Sequence, residues 1–184
     1  MASLFGHAVA AAALGTPLGD RRVLAAGVVL AALPDLDAVG FWLGVPDGAL
    51  LGHRGLTHSL TVALFAGGLS AWLLTRDRST HRRRVTVAVY LIAAMASHGM
   101  LDAMTNGGLG VAFFAPFDQT RYFFAWRPIL VSPIGIARFL SPRGAAVLVN
   151  EAVWIGLPSV LVAACGLMIS RLRRRAIRAQ PELR

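Results

Sequence analysis

The sequence predicts an all-α fold, a polytopic membrane helical bundle of about four spanning helices with a short N-terminal helix and an irregular extracytoplasmic cap. Three observations carry that prediction. Of the 184 residues 56 % are hydrophobic and only 15 % charged, where soluble domains carry roughly a quarter, and the mean hydropathy is +0.62. Apolar runs recur at lengths near the roughly 20 residues that cross a bilayer core as helix. The arginines gather between those runs, at Arg21 and Arg22, at Arg76, Arg78, Arg82, Arg83 and Arg84, and at Arg171, Arg173, Arg174, Arg175 and Arg178. Apolar segments and short connectors use up most of the chain, so 1–184 reads as a single integral membrane domain with an Arg-rich tail at 171–184.

Each element follows in turn. Residues 3–15 are apolar but too short to span, and Ser3 is a candidate N-cap. No basic residue precedes this run, which argues against a cleaved signal peptide. Residues 23–45 form a span interrupted by PDLD, and a helix broken at membrane depth is tolerated only where protein or a cavity covers it. Residues 56–74 and 85–101 contain no Lys, Arg, Asp or Glu and are the firmest spans. The stretch 105–143 is rich in Gly, Pro and aromatics and is read as a structured cap. Residues 152–170 give the last span, with Pro158 expected to kink it. Cys165, the single cysteine, is a small apolar residue of that span.

Placing the arginine clusters in the cytoplasm puts the cap outside and the C-terminus inside. The net charge of +9 resembles a nucleic-acid signal, but its location flanking apolar runs fits topology anchors and contacts with anionic membrane lipid, and argues against nucleic acid. No protein partner can be read from the sequence.

Polar residues inside the apolar segments are the informative ones, because ionisable groups are costly in hydrocarbon. They are His7, Asp35, Asp37, His58, His98, Asp102 and Glu151, with His53 and Asp47 in an adjoining loop. His98 and Asp102 are spaced i, i+4 and share a helix face. Gly55 and Thr57 suggest a helix start between His53 and His58, which frees His53 to fold back. The two carboxylates of PDLD can bridge cations or divide into one ligand and one base. All fall towards one end of the bundle, so His7, Asp37, His53, His58, His98 and Asp102 are candidate metal ligands. A mixed imidazole and carboxylate set suits a divalent transition metal, Zn²⁺ best. Glu151 is a candidate ligand or support for one, and equally a partner for a cap arginine. His81 stands among arginines and reads as a solvated residue.

The elements GH at 6–7, LPDLD at 33–37, HRGLTHSL at 53–60, SHGMLDAMTNGG at 97–108 and PFDQTRYFFAWRPILVSPIG at 116–135 together resemble the LexA-binding, inner-membrane-associated family of prokaryotic proteins, described as membrane-bound metal-dependent hydrolases. That family is remotely similar to the all-α zinc-dependent phospholipases C and single-strand nucleases. The resemblance implicates His7, Asp35 or Asp37, His53 or His58, His98 and Asp102 as ligands, with an aspartate as base. No histidine follows Asp102, which speaks against the full three-zinc cluster of the soluble enzymes. The expectation is therefore a multi-pass inner-membrane hydrolase acting on a phosphoester such as a lipid headgroup, with Asp35 and Asp37 as catalytic carboxylates and Arg54, Arg121 or Arg127 as phosphate contacts. The rival expectations are a non-catalytic metal-binding regulatory protein of the membrane and a small transporter.

Overall fold

The computed structural model describes residues 1–77 and 79–179, and the end of the Arg-rich tail, 180–184, lies outside them. Helix starts follow local chemistry. Ser3 caps α1 (Leu4–Gly15) by accepting from the Gly6 amide, and Asp20 caps α2 (Arg21–Ala32) by accepting from Arg22 and Val23. Pro34 lacks the N–H that would continue α2, and the chain tightens into a 3₁₀ turn, Leu33–Ala38, before the short α3 (Val39–Trp42). Together these make one apolar run, Arg21–Trp42, with the expected break at PDLD.

Another 3₁₀ turn, Leu56–His58, precedes α4 (Leu60–Thr75), as Thr16–Leu18 follows α1. Here the expected span over 56–74 is shortened, because Ser59 is the residue that caps the helix, accepting from Val62, while Thr57 turns its hydroxyl to Asp37. At about 1.5 Å per residue the 16 residues of α4 reach roughly 24 Å. Thr80 caps α5 (His81–Ala103), an uninterrupted apolar span. Beyond the cap come α6 (Ile136–Phe139) and a continuous helical run made of α7 (Pro142–Glu151), a π turn (Ala152–Gly156) and α8 (Leu157–Ala179). The last span thus begins ten residues before its expected start at 152. The turn ahead of Pro158 widens to π, the kind of local departure from α geometry that accommodates a proline within a helix.

The core lies around α5, with α1, α2 and α4 on its sides. Tyr90 sits at the crossing of the first three, its hydroxyl 3.1 Å from the Ala11 carbonyl and 3.3 Å from that of Leu24, against the bare backbones of Gly15 and Gly27. Gly67 of α4 rests on the α5 backbone at Ile92. Outside this core α8 lies along α1, with Gly166 against Pro17. Its remaining faces expose Leu157, Val160, Leu161 and Met168, and α4 exposes Leu64, Phe65 and Trp72, an outer surface suited to hydrocarbon.

The stretch from Thr105 to Gly135 is irregular, as expected of the cap. Isolated bridges, Thr105 with Ile129 and Val111 with Tyr122, tie it together, and no strand forms among the described residues. It closes the end of the bundle where α5 finishes and the 3₁₀ turns Leu33–Ala38 and Leu56–His58 lie.

Candidate metal centre

Four separate pieces of chain bring imidazoles and carboxylates to that closed end. His7 lies in the second turn of α1, whose first turn is fixed by Glu151: the Ser3 amide and hydroxyl both donate to the Glu151 carboxylate. Asp35 and Asp37 lie in the 3₁₀ turn Leu33–Ala38, His53 comes from the loop before the turn Leu56–His58, and His58 lies in that turn. His98 and Asp102 stand one turn apart near the end of α5. Between them Gly99 lets the His58 carbonyl approach the helix, where a Cβ would sit 2.8 Å from that oxygen.

The hydrogen bonds assign the tautomers. The His98 Nδ1 lies 2.6 Å from the Ala31 carbonyl, which can only accept, so Nδ1 carries the proton and Nε2 offers a lone pair. By the same reasoning the His53 Nδ1 donates to Asp37 Oδ1 at 2.6 Å. Thr57 donates to Asp37 Oδ2 at 2.6 Å, and the His58 Nδ1 lies 3.1 Å from the same oxygen. Asp37 therefore orients two imidazoles from behind, as carboxylates do behind metal-ligating histidines.

What faces inward is a set of acceptors. His58 Nε2 and His98 Nε2 are 3.0 Å apart. Asp35 Oδ1 is 3.3 Å from the His98 Nε2 and 3.9 Å from the His58 Nε2. Asp102 Oδ2 is 3.5 Å from the His58 Nε2, and Asp102 Oδ1 is 3.4 Å from the His7 Nε2. Ligands at 2.0–2.1 Å around a tetrahedral ion stand roughly 3.3 Å from one another, so these separations suit a bound ion. Lone pairs facing each other at such distances repel unless a cation or a proton lies between them.

The buried side-chain atoms without a hydrogen-bond partner among the described residues are both ring nitrogens of His7, both oxygens of Asp35 and His53 Nε2. All belong to this cluster. An unsatisfied buried polar atom costs about 1–3 kcal/mol, so their concentration here points to a missing partner. The carboxylates of Asp35, Asp37, Asp102 and Glu151 stand against two cations here, the Arg54 guanidinium and the Met1 amino group, an excess of negative charge that a divalent cation would neutralise. His7, Asp35, His98 and Asp102 form one group able to hold an ion, and Asp35, His53 and His58 another.

The remaining expected residues have other surroundings. Arg54 is buried at left-handed φ 63°, and its guanidinium donates to Asp102 Oδ2 at 3.0 Å, the Gly107 carbonyl at 2.9 Å and Thr105 Oγ1 at 2.8 Å. Each of its three guanidinium nitrogens donates to a protein acceptor, and its charge offsets Asp102. Arg121 ties down the loop that carries His53, donating to the carbonyls of His53, Asp47 and Ala49, and burial there lowers its pKa from the ordinary arginine value. Arg127 lies over the Phe123 ring. Glu151 is one step removed, acting on α1 through Ser3. His81 begins α5 and is exposed. Sequence reasoning did not find the roles of Gly99, the Ala31 carbonyl, Thr105 or Ser3 as a partner of Glu151. No motif marks these residues, because their role depends on chain approach.

The fold and this centre define a class: a multi-helix membrane protein that gathers buried histidines and aspartates able to hold a metal ion at one end of its bundle. Within that class, residues 3–176 match the YdjM inner membrane protein family, and the chain belongs to it. It is also 34 % identical over 166 residues to the inner membrane protein YbcI of Escherichia coli (strain K12), covering 88 % of this chain and 95 % of that protein. No solved structure matches. The relationship carries the inner-membrane location expected from the motifs, while neither name speaks to LexA or to hydrolysis.

Proposed function

We propose that the protein is a membrane-embedded, metal-dependent phosphoester hydrolase, with Zn²⁺ the best fit to its donors. The observation that supports this most directly is the inward-facing His58 and His98 pair, both Nδ1 protons committed elsewhere and both Nε2 lone pairs turned to the same point beside Asp35 and Asp102. A bound divalent ion supplies a Lewis acid for a phosphoryl oxygen and lowers the pKa of water towards neutrality. His7, His58, His98 and Asp102 are the residues that would hold it. Of the two aspartates expected to act on water, Asp35 has both oxygens free of hydrogen bonds, so one can ligate while the other holds the attacking water. Asp37 positions His53 and His58.

The Asp35 and His53 edge is the approach for substrate, since their side chains remain 9 % and 7 % exposed while those of His7, His98 and Asp102 are fully enclosed. Exposed Leu36, Phe41 and Trp42 beside this edge favour a substrate with an apolar portion, such as a lipid headgroup ester. The same enclosure favours a second reading, a non-catalytic metal site that stabilises or regulates a membrane protein.

One experiment separates the two. Purified protein in lipid nanodiscs is expected to contain a stoichiometric transition metal and to hydrolyse bis(p-nitrophenyl) phosphate or phospholipid headgroup esters. Chelation should abolish turnover, and His98→Ala and Asp102→Ala should each lose at least about a hundredfold. Full metal content without turnover on either substrate class would support the regulatory reading, and absence of metal would overturn both.

A further inference from the structure

A single ion seated among His7, His58, His98 and Asp102 would leave two problems unsolved. His53 Nε2 would still be buried without a partner, and so would one oxygen of Asp35. Yet the His53 ring is held as firmly as any in the site, by a 2.6 Å hydrogen bond from its Nδ1 to Asp37, and the loop behind it is pinned by Arg121. A buried imidazole oriented from behind by a carboxylate, its other nitrogen without a protein hydrogen-bond partner, has the form of a metal ligand.

The donors also divide. His7, Asp35, His98 and Asp102 have ligand atoms within 4.8 Å of one another, as do Asp35, His53 and His58, and His7 and His53 fall in different groups. Asp35 is common to both. Its two oxygens are free and its side chain is more than nine-tenths buried.

Resting on the metal-dependent reading above, we infer that the centre holds two divalent ions, one in each group, with the Asp35 carboxylate bridging them. The first group supplies four protein ligands, which fills a tetrahedral shell. The second supplies three and leaves a position open, the arrangement of a catalytic site. It also contains both Asp35 and His53, whose side chains are not fully enclosed. Asp35 then ligates through both oxygens and no longer holds the water. Ion pairs of this kind, about 3.5–4 Å apart, suit phosphoesters because they stabilise the attacking and leaving oxygens together. The inferred substrate class is accordingly a phosphoester able to place two oxygens across the pair.

The test is metal stoichiometry and magnetic coupling in the full chain, reconstituted in nanodiscs and loaded with Mn²⁺. Wild type is expected to bind two ions per chain and to give an exchange-coupled electron paramagnetic resonance spectrum. His53→Gln and His7→Gln should each bind one ion, with the uncoupled six-line signal. Saturation of wild type at one ion, with His53→Gln retaining it at unchanged affinity, would overturn the two-ion centre and leave the one-ion reading standing. No bound ion in wild type would overturn both. Should either variant fail to fold, the wild-type stoichiometry and coupling still decide.

Discussion

At the scale of the residue, Asp37 shows how much of this centre depends on groups that need not touch an ion. Its two oxygens receive His53, His58, Thr57 and the Arg54 amide, so one carboxylate sets the direction of two imidazoles on either side of a turn. Replacing it with asparagine keeps the volume and removes the charge that accepts both Nδ1 protons. Asp37→Asn is expected to weaken metal binding about 10- to 100-fold with helix content unchanged. Chelator competition on the purified variant checks this, and a wild-type affinity would show that the imidazoles hold their orientation without it. In the sequence, Asp37 is the PDLD aspartate named among the candidate ligands, and both are named as catalytic carboxylates. The structure separates them by what surrounds each, Asp35 with free oxygens and Asp37 with none free of a contact.

At the scale of the element, the helices pack closely because glycines stand where they cross. Gly27 faces the Tyr90 ring so closely that a Cβ there would lie 2.0 Å from the hydroxyl oxygen. Tyr90 lies against Gly15 of α1 and Gly27 of α2, and it cannot withdraw without giving up its hydrogen bonds to both helices. Gly27→Ala should therefore destabilise the protein by about 1–3 kcal/mol, as overpacking of a filled interior does. Thermal unfolding in detergent provides the measurement, and adding Tyr90→Leu to the same chain should recover part of the loss. No recovery would place the strain elsewhere. The helix limits themselves were partly legible. Ser3 as a cap and the break at PDLD are local signals, whereas the start at Ser59 rather than Thr57 required knowing that Asp37 draws the threonine hydroxyl away.

At the scale of the whole molecule, charge is polarised along the bundle. Asp20 at the head of α2 receives the Arg83 guanidinium from the start of α5, and the cavity of about 430 Å³ at that end is also lined by Thr80, Arg82 and Arg174 of α8. The candidate metal centre and the cap lie at the opposite end. By the positive-inside rule this basic end would face the cytoplasm, so a C-terminal fluorescent fusion should fold and fluoresce, while a C-terminal alkaline phosphatase fusion should be inactive. The reverse pattern would invert the topology. The apolar runs, arginine clusters and scattered histidines made the bundle, its broken span and the gathering of polar residues readable from the chain. The partition of those residues into ligands and supports was not readable, because it turns on which nitrogen finds a carbonyl or carboxylate behind it, and those partners come from 16 to 67 positions away.

The chain order of the centre bears on how the protein is made. Every residue assigned to hold an ion lies between His7 and Asp102, and the final span, Pro142–Ala176, adds only Glu151, which grips Ser3 and thereby the first turn of α1. A nascent chain will have synthesised all its histidine and aspartate ligands before that last helix leaves the ribosome. Insertion of the final helix would then act as a latch on α1, with Glu151 fixing the helix that carries His7 after the other candidate ligands have been made.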